Sequence, residues 1–168
     1  MKVSVIVVTL DEEKNINRCL DSLVKQDIPK ADYEILVVDG GSKDKTKEIV
    51  IELAKEIAAQ NEHPKIHFYE KQSGSITQCR NIGIQKSQHD VVAFIDADCV
   101  APEDWLRRLK RGFSRNAVAN HKLAGVGGAN IPPQEGTIFQ NAIGVAFNSF
   151  LGSLGSIQAR PMKQNNRV

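Results

Sequence analysis

At 168 residues the chain is long enough to bury a core and short enough for one domain to be the default. Its composition, 41% hydrophobic and 25% charged, is that of an ordinary soluble globular protein. Three scattered cysteines (Cys19, Cys79 and Cys99) fit a reducing, cytoplasmic interior better than a secreted disulfide scaffold.

A net charge of +2 hides an imbalance. Residues 1–104 carry 13 Lys/Arg against 19 Asp/Glu, whereas residues 105–168 carry 9 against 1. An anionic partner is therefore expected at the basic rear, the plainer alternative being solvated helix faces.

The start, MKVSVIVVTLDEE, reaches acidic residues after a strand-like run and is not expected to be a signal peptide. VSVIVVT (3–9) is a nearly continuous β-branched run, as a strand covered on both faces should be. Ile16, Cys19, Leu20, Leu23 and Val24 then repeat at helical spacing, one apolar stripe on a polar helix, with Pro29 beyond its end. YEILVVD (33–39) reads as a second strand. GGSKDKT is a turn with Asp44 as helix N-cap, and the helix after it turns Ile49, Val50, Leu53, Ala54, Ile57 and Ala58 inward. KIHFYE (65–70) is a third strand, residues 75–87 a helix weakened by Gly83, and DVVAFID (90–96) a fourth strand. Pro102 opens another helix, with Glu103 and Asp104 in its first turn and Leu106, Leu109 and Phe113 as its stripe. Arg107, Arg108, Lys110 and Arg111 come next, a charge order that suits the helix dipole. LAGVGGANI (123–131) is a candidate last strand.

Repeated strand–helix units predict an α/β fold, a three-layer α/β/α arrangement with a mostly parallel central sheet. Ligands of such sheets bind outside the carboxyl ends of the strands, where Thr9, Asp39 and the Asp96–Asp98 pair fall. If the extended backbone persists beyond the fourth strand, Asp96 and Asp98 point the same way. Two close carboxylates repel unless a cation joins them, and Mg²⁺ or Mn²⁺ does so with oxygen ligands, completing its shell from substrate phosphates. Arg80, on the preceding helix, would steady a carboxylate or contact a phosphate. The plainer alternatives are that Asp96 caps a turn, that Asp98 is solvated, and that Asp39 serves the turn chemistry of DGGS.

Four segments in register, VSVIVVTLDEEKNINRCLDSL, YEILVVDGGSKDKTKEIV, QCRNIGIQKSQHDVVAFIDADC and PEDWLRRL, resemble the family-2 glycosyltransferases of the GT-A, Rossmann-like fold. The resemblance covers roughly residues 3–115. It implies inverting transfer of a sugar from a nucleoside-diphosphate sugar to a hydroxyl acceptor, assisted by Mg²⁺ or Mn²⁺. By position, Thr9, Glu12 and Asp39 would contact the nucleoside, Asp39 through the base. Asp96 would meet the ribose or sugar, Ala97 would line the donor site beside it, Asp98 would hold the metal, and Arg80 would sit by the diphosphate. Leu10 and Asp11 stand where the family commonly has an aromatic residue and Asn. Leu10 can pack against a base without aromatic stacking, which leaves UDP- and GDP-sugars both open. Gly40 replaces the second of the usual paired acids.

Family catalytic domains run well past this length, so the resemblance implies a single, C-terminally incomplete domain. Residues 1–115 would be its nucleotide-sugar-binding half and 116–168 the start of the acceptor-side half. Inversion needs a general base. Glu135, the one acidic residue after Asp104, does not match the family's base motif, so the base is expected beyond residue 168. The acceptor would be a sugar, a polysaccharide or a polyprenyl phosphate. Residues 136–159 carry no charge, but their polar residues and four glycines argue against a membrane helix. They read as a mobile acceptor-side segment. A peripheral contact with the inner face of a membrane is the lesser alternative.

Two rival functions stand beside this one. FIDADCV also fits the Asp-x-Asp signature of haloacid-dehalogenase-type phosphatases, although no later acidic pair follows it. A non-catalytic nucleotide-binding domain is the other, separated from an enzyme by turnover. His63, His67, His89 and His121 lack zinc spacing, and GVGGAN (125–130) lacks the context of a phosphate loop. Aromatic residues at 5% and an acidic crevice oppose nucleic-acid binding.

Overall fold

The computed structural model describes residues 1–59, 63–117 and 125–127. The chain divides into two compact units, Met1–Lys110 and Arg111–Val168, and all four strands lie in the first. Strand β1 (Val3–Thr9) leads to helix α1 (Ile16–Val24), a short 3-10 turn (Lys30–Asp32) and β2 (Tyr33–Asp39). Helix α2 (Thr46–Ala58), β3 (Lys65–Glu70), α3 (Ile76–Lys86), β4 (Val91–Asp96) and α4 (Trp105–Ala117) complete the order. The strands form one parallel sheet in the order β3-β2-β1-β4. The sheet and its flanking helices are the expected α/β fold.

Alternation along the strands sorts the core into two layers. Val3, Val5, Val7, Tyr33, Ile35 and Val37 join the stripe of α1 (Ile16, Cys19, Leu20, Leu23, Val24) and Val50, Ile57 and Leu106 in one cluster. Burying side chains such as Leu20 and Leu23 completely is worth roughly 1.5–3 kcal/mol each. Ile6, Leu36 and Val38 are also fully buried, on the opposite parity, and α3 packs against β1 and β2 there. Gly83 explains itself at this contact. A Cβ on it would stand 2.5 Å from Ile6 Cγ2, so glycine is what lets the helix settle on the sheet. Helix α3 compensates with a capping box between Ser75 and Gln78.

Several local expectations shift. Ala58 is exposed, and Ala54 is half-buried, because α2 turns only Thr46, Val50 and Ile57 fully inward. The N-cap of α2 is Lys45 rather than Asp44, yet Asp44 still accepts the Thr46 N–H at 3.0 Å. Glu103 and Asp104 lie in a turn before α4, which starts at Trp105, not at Pro102. The α4 cations within this unit are held by nearby acids: Arg107 by Asp27 and Asp104, Arg108 by Asp104, Lys110 by Asp32. These pairs answer the expectation of an anionic partner for those residues. Residues 125–127 are not in a strand, and the rest of the candidate strand 123–131, Glu135 and the uncharged segment 136–159 lie outside the described residues. Among the described residues no helix is long and apolar enough to cross a membrane.

Candidate functional site at the carboxyl edge of the sheet

Parallel pairing puts the strand tips on one edge: Thr9 lies opposite Asp39, Asp39 opposite Glu70, and Asp96 beside Val8. After β3 the chain crosses back over β2 and β1 to lay down β4, so the strand order reverses between β1 and β4. A crevice is expected there.

On one side of it three loops are bolted together. The Asp11 N–H donates to Ser42 Oγ at 2.8 Å, and Asp11 Oδ1 accepts the Lys43 N–H at 2.7 Å. The N–H groups of Glu12 and Glu13 donate to Thr46 Oγ1 and Asp44 Oδ2 at 2.8 and 3.0 Å. From the third loop, Lys71 N–H reaches the Asp39 carbonyl at 2.8 Å, and Gly74 N–H the Gly40 carbonyl at 3.1 Å. A Cβ on Gly74 would meet Lys71 Cγ at 2.7 Å, and Gly41 holds φ at +99°, a conformation that favours glycine. The ridge encloses a cleft of about 550 Å³ lined by Leu10, Asp11, the Gly40–Lys43 turn and Gln72–Ser75. A second cleft of about 320 Å³, at Met1, Lys2 and Gln88–Val91, lies at the amino edge, away from the strand tips.

Within this ridge, Asp39 is buried and both its oxygens face Ser42, accepting its hydroxyl at 2.5 Å and its N–H at 3.1 Å. The turn chemistry of DGGS is thus realised. Thr9 is 2% exposed, and its Oγ1 has no hydrogen-bond partner within the protein. Leu10 is 54% exposed, an apolar face offered to the cleft. The Glu12 carboxylate accepts the Asn15 side-chain amide at 2.8 Å and so ties down the entry to α1.

On the other side, the extended backbone expected from Asp96 to Asp98 does not persist. β4 stops at Asp96, because the Asp96 carbonyl accepts the Cys99 N–H at 3.0 Å and closes a turn. Asp96 and Asp98 are exposed, while Ala97 between them is buried. Arg80 reaches Asp96 at 3.3 Å, its guanidinium stacked over the Phe94 ring at 5.7 Å. Asp98 accepts the Cys99 thiol at 3.5 Å. Burial first, then the neighbouring negative charge of Asp98, pushes Cys99 up to about 11. Burial, followed by Cys99, Asp98 and Asp96, pushes Cys19 to about 12. Among the described residues no three His, Cys, Asp or Glu side chains converge on a metal position. The exposed carboxylates fit a hard dication whose remaining ligands come from a bound phosphate and water.

Sequence reasoning missed Ser42, Thr46 and Glu70. Glu70 ends the third strand at the same edge and is paired with Lys47 and the Gln72 amide. Ser42 lies in the loop before α2 and Thr46 opens that helix; each also accepts an N–H from the loop after β1, about thirty residues away, and no local pattern marks those contacts.

A family model described as Glycosyl transferase family 2 matches residues 4–149. The chain belongs to this family. The chain is 41% identical over 106 residues to the glycosyltransferase AglE of Haloferax volcanii, covering 63% of this chain and 33% of that protein. It therefore spans about a third of the length of that relative. The structure of S. aureus TarS 1–349 in complex with UDP-GlcNAc superposes with a TM-score of 0.58 at 30% identity, covering 79% of this chain and 37% of that one. The mannosyltransferase PcManGT from Pyrobaculum calidifontis, in complex with GDP-Man and Mn²⁺, also gives 0.58, at 26% identity over 84% of this chain and 38% of that one. Membership of family 2 removes the haloacid-dehalogenase alternative.

Proposed function

We propose that this unit binds the donor of a metal-assisted, inverting glycosyl transfer, a nucleoside-diphosphate sugar whose sugar passes to an acceptor hydroxyl. The observation that carries the reading is the pairing, at one sheet edge, of the Thr9–Asp39 ridge with the Arg80–Asp96 and Asp98 turn. Neighbours of the same fold bind UDP-GlcNAc and, with Mn²⁺, GDP-Man, which supports a nucleotide-sugar ligand without choosing its base.

In this reading the base lies in the cleft against Leu10, with Thr9 and Asp39 beside the nucleoside and Glu12 shaping the loop. Asp96, steadied by Arg80, faces the ribose or sugar, with Ala97 beneath it. Asp98 would hold Mg²⁺ or Mn²⁺, and the bound ion would supply charge neutralisation for the diphosphate leaving group. The acceptor oxygen forms its bond to the anomeric carbon as the bond to the diphosphate oxygen breaks, and the hydroxyl proton passes to a general base. Free Cys19, Cys79 and Cys99 suit a cytoplasmic setting.

Calorimetry with UDP and with GDP, each with Mn²⁺ and with EDTA, tests the donor site. One nucleotide is expected to bind, and only with Mn²⁺. Asp98→Asn is expected to abolish that binding with the thermal melt unchanged. Equal affinity in EDTA would remove the role given to Asp98. A donor complex that never turns over with any acceptor would favour the non-catalytic alternative.

A further inference from the structure

Asp98 sits on a segment that β4 holds only at its start. Beyond Asp96 the chain is fastened to one face of α1 and the turn after it. The Cys19 thiol donates to the Asp96 carbonyl at 3.7 Å. Ser22 Oγ accepts the Ala101 N–H at 3.0 Å while donating to the Cys19 carbonyl at 2.6 Å. Gln26, 1% exposed, donates to the carbonyls of Ser22 and Pro102 at 3.0 and 2.8 Å. Its Oε1 accepts the Leu106 N–H at 2.9 Å, one of the orphan donors of the first turn of α4. The Asp27 N–H adds a bond to the Glu103 carbonyl at 2.9 Å.

Cys19 and Ser22, three apart, share a face of α1, and Gln26 lies just past the helix end, tied back to the Ser22 carbonyl. That face and Gln26 together fix the Asp96 end, Ala101, Pro102 and the origin of α4, leaving Asp98 and Cys99 as the span between two anchors. Apolar side chains at these positions would bury as well but would leave the Ala101 and Leu106 N–H groups unpaired. The polar members of the stripe thus have a job that core packing does not supply.

We propose that Ser22 and Gln26 are positioning residues for the Asp98 turn, setting where its carboxylate meets the metal and the diphosphate. The inference rests on the role proposed above for Asp98. Residues hydrogen-bonded directly to a metal ligand typically change metal affinity by about 10–100-fold, and Ser22 and Gln26 act one step further out, through the backbone that carries Asp98. Ser22→Ala removes one hydroxyl and frees the Ala101 N–H. It is expected to weaken Mn²⁺-dependent nucleoside-diphosphate binding by about tenfold, at the low end of that range. Binding of the bare nucleoside, held by the Thr9–Asp39 ridge, should not change, and Ser22→Thr, which restores the hydroxyl, should recover the diphosphate affinity. A general loss of structure would weaken nucleoside and diphosphate alike, and that outcome, checked against the thermal melt, overturns the inference. So does diphosphate affinity in Ser22→Ala and Gln26→Met equal to wild type while Asp98→Asn abolishes it. Wild-type binding indifferent to Mn²⁺ and to Asp98→Asn overturns the role of Asp98, and the inference with it.

Discussion

Replacing Thr9 by valine exchanges a buried hydroxyl for a methyl of similar size, at a strand tip where both residues suit the backbone. Thr9 is 2% exposed and its Oγ1 meets no partner within the protein. An unpaired buried hydroxyl costs about 1–3 kcal/mol, so Thr9→Val is expected to stabilise the ligand-free protein by about 1 kcal/mol. For a chain of this size that raises Tm by roughly 2–4 °C. The sign reverses once donor is bound. If Oγ1 bonds the nucleoside, its loss costs about 0.5–1.5 kcal/mol, a roughly two- to tenfold weaker Kd. Thermal melts without ligand and calorimetry with UDP or GDP plus Mn²⁺ read the two signs separately. A lower Tm for ligand-free Thr9→Val would refute the claim that the hydroxyl is unpaired. A higher Tm with unchanged nucleotide affinity would refute its contact with the donor.

Gly83→Ala drives a methyl to 2.5 Å from Ile6 Cγ2, and overpacking of that kind costs about 1–3 kcal/mol, read as a lower denaturant midpoint; an unchanged midpoint would mean that α3 can lift off the sheet freely. Burial alone would raise the Asp44 carboxyl, but hydrogen bonds from the Thr46 hydroxyl and the Glu13 and Thr46 N–H groups outweigh it and hold it below the usual range. Its folded pKa is depressed, so the stabilisation is complete above the unfolded value of about 3.9 and is lost as pH falls through the folded one. Asp44→Asn is expected to flatten the acid limb of a Tm-against-pH curve below about pH 4, and a curve parallel to wild type would contradict that assignment.

Much of the fold was legible because it is local. Val3–Thr9 and Tyr33–Asp39 announce themselves as buried parallel strands by nearly continuous apolar runs rich in Val and Ile, and all five stripe residues expected of α1 are buried. The strand–helix alternation forces the tips of β1, β2 and β4 to one edge, so the meeting of Thr9, Asp39 and Asp96 at that edge was readable before any coordinate. Its internal arrangement was not. The Asp-x-Asp looked like an extended continuation of β4, and a single hydrogen bond from Cys99 to Asp96 folds it into a turn instead.

Element order, the parallel sense of the sheet and the edge at which its chemistry collects were all written in the chain, because hydrophobic period and turn residues act over a few positions. Three-dimensional packing alone settled that Ser42 would reach Asp11, that the α4 cations Arg107 and Lys110 would meet Asp27 and Asp32, and that Ser22 and Gln26 would brace the segment beyond Asp98. Most of those contacts join residues about thirty to eighty positions apart, and a side chain's neighbours at that range are set by how helices lie on the sheet, which no local pattern encodes.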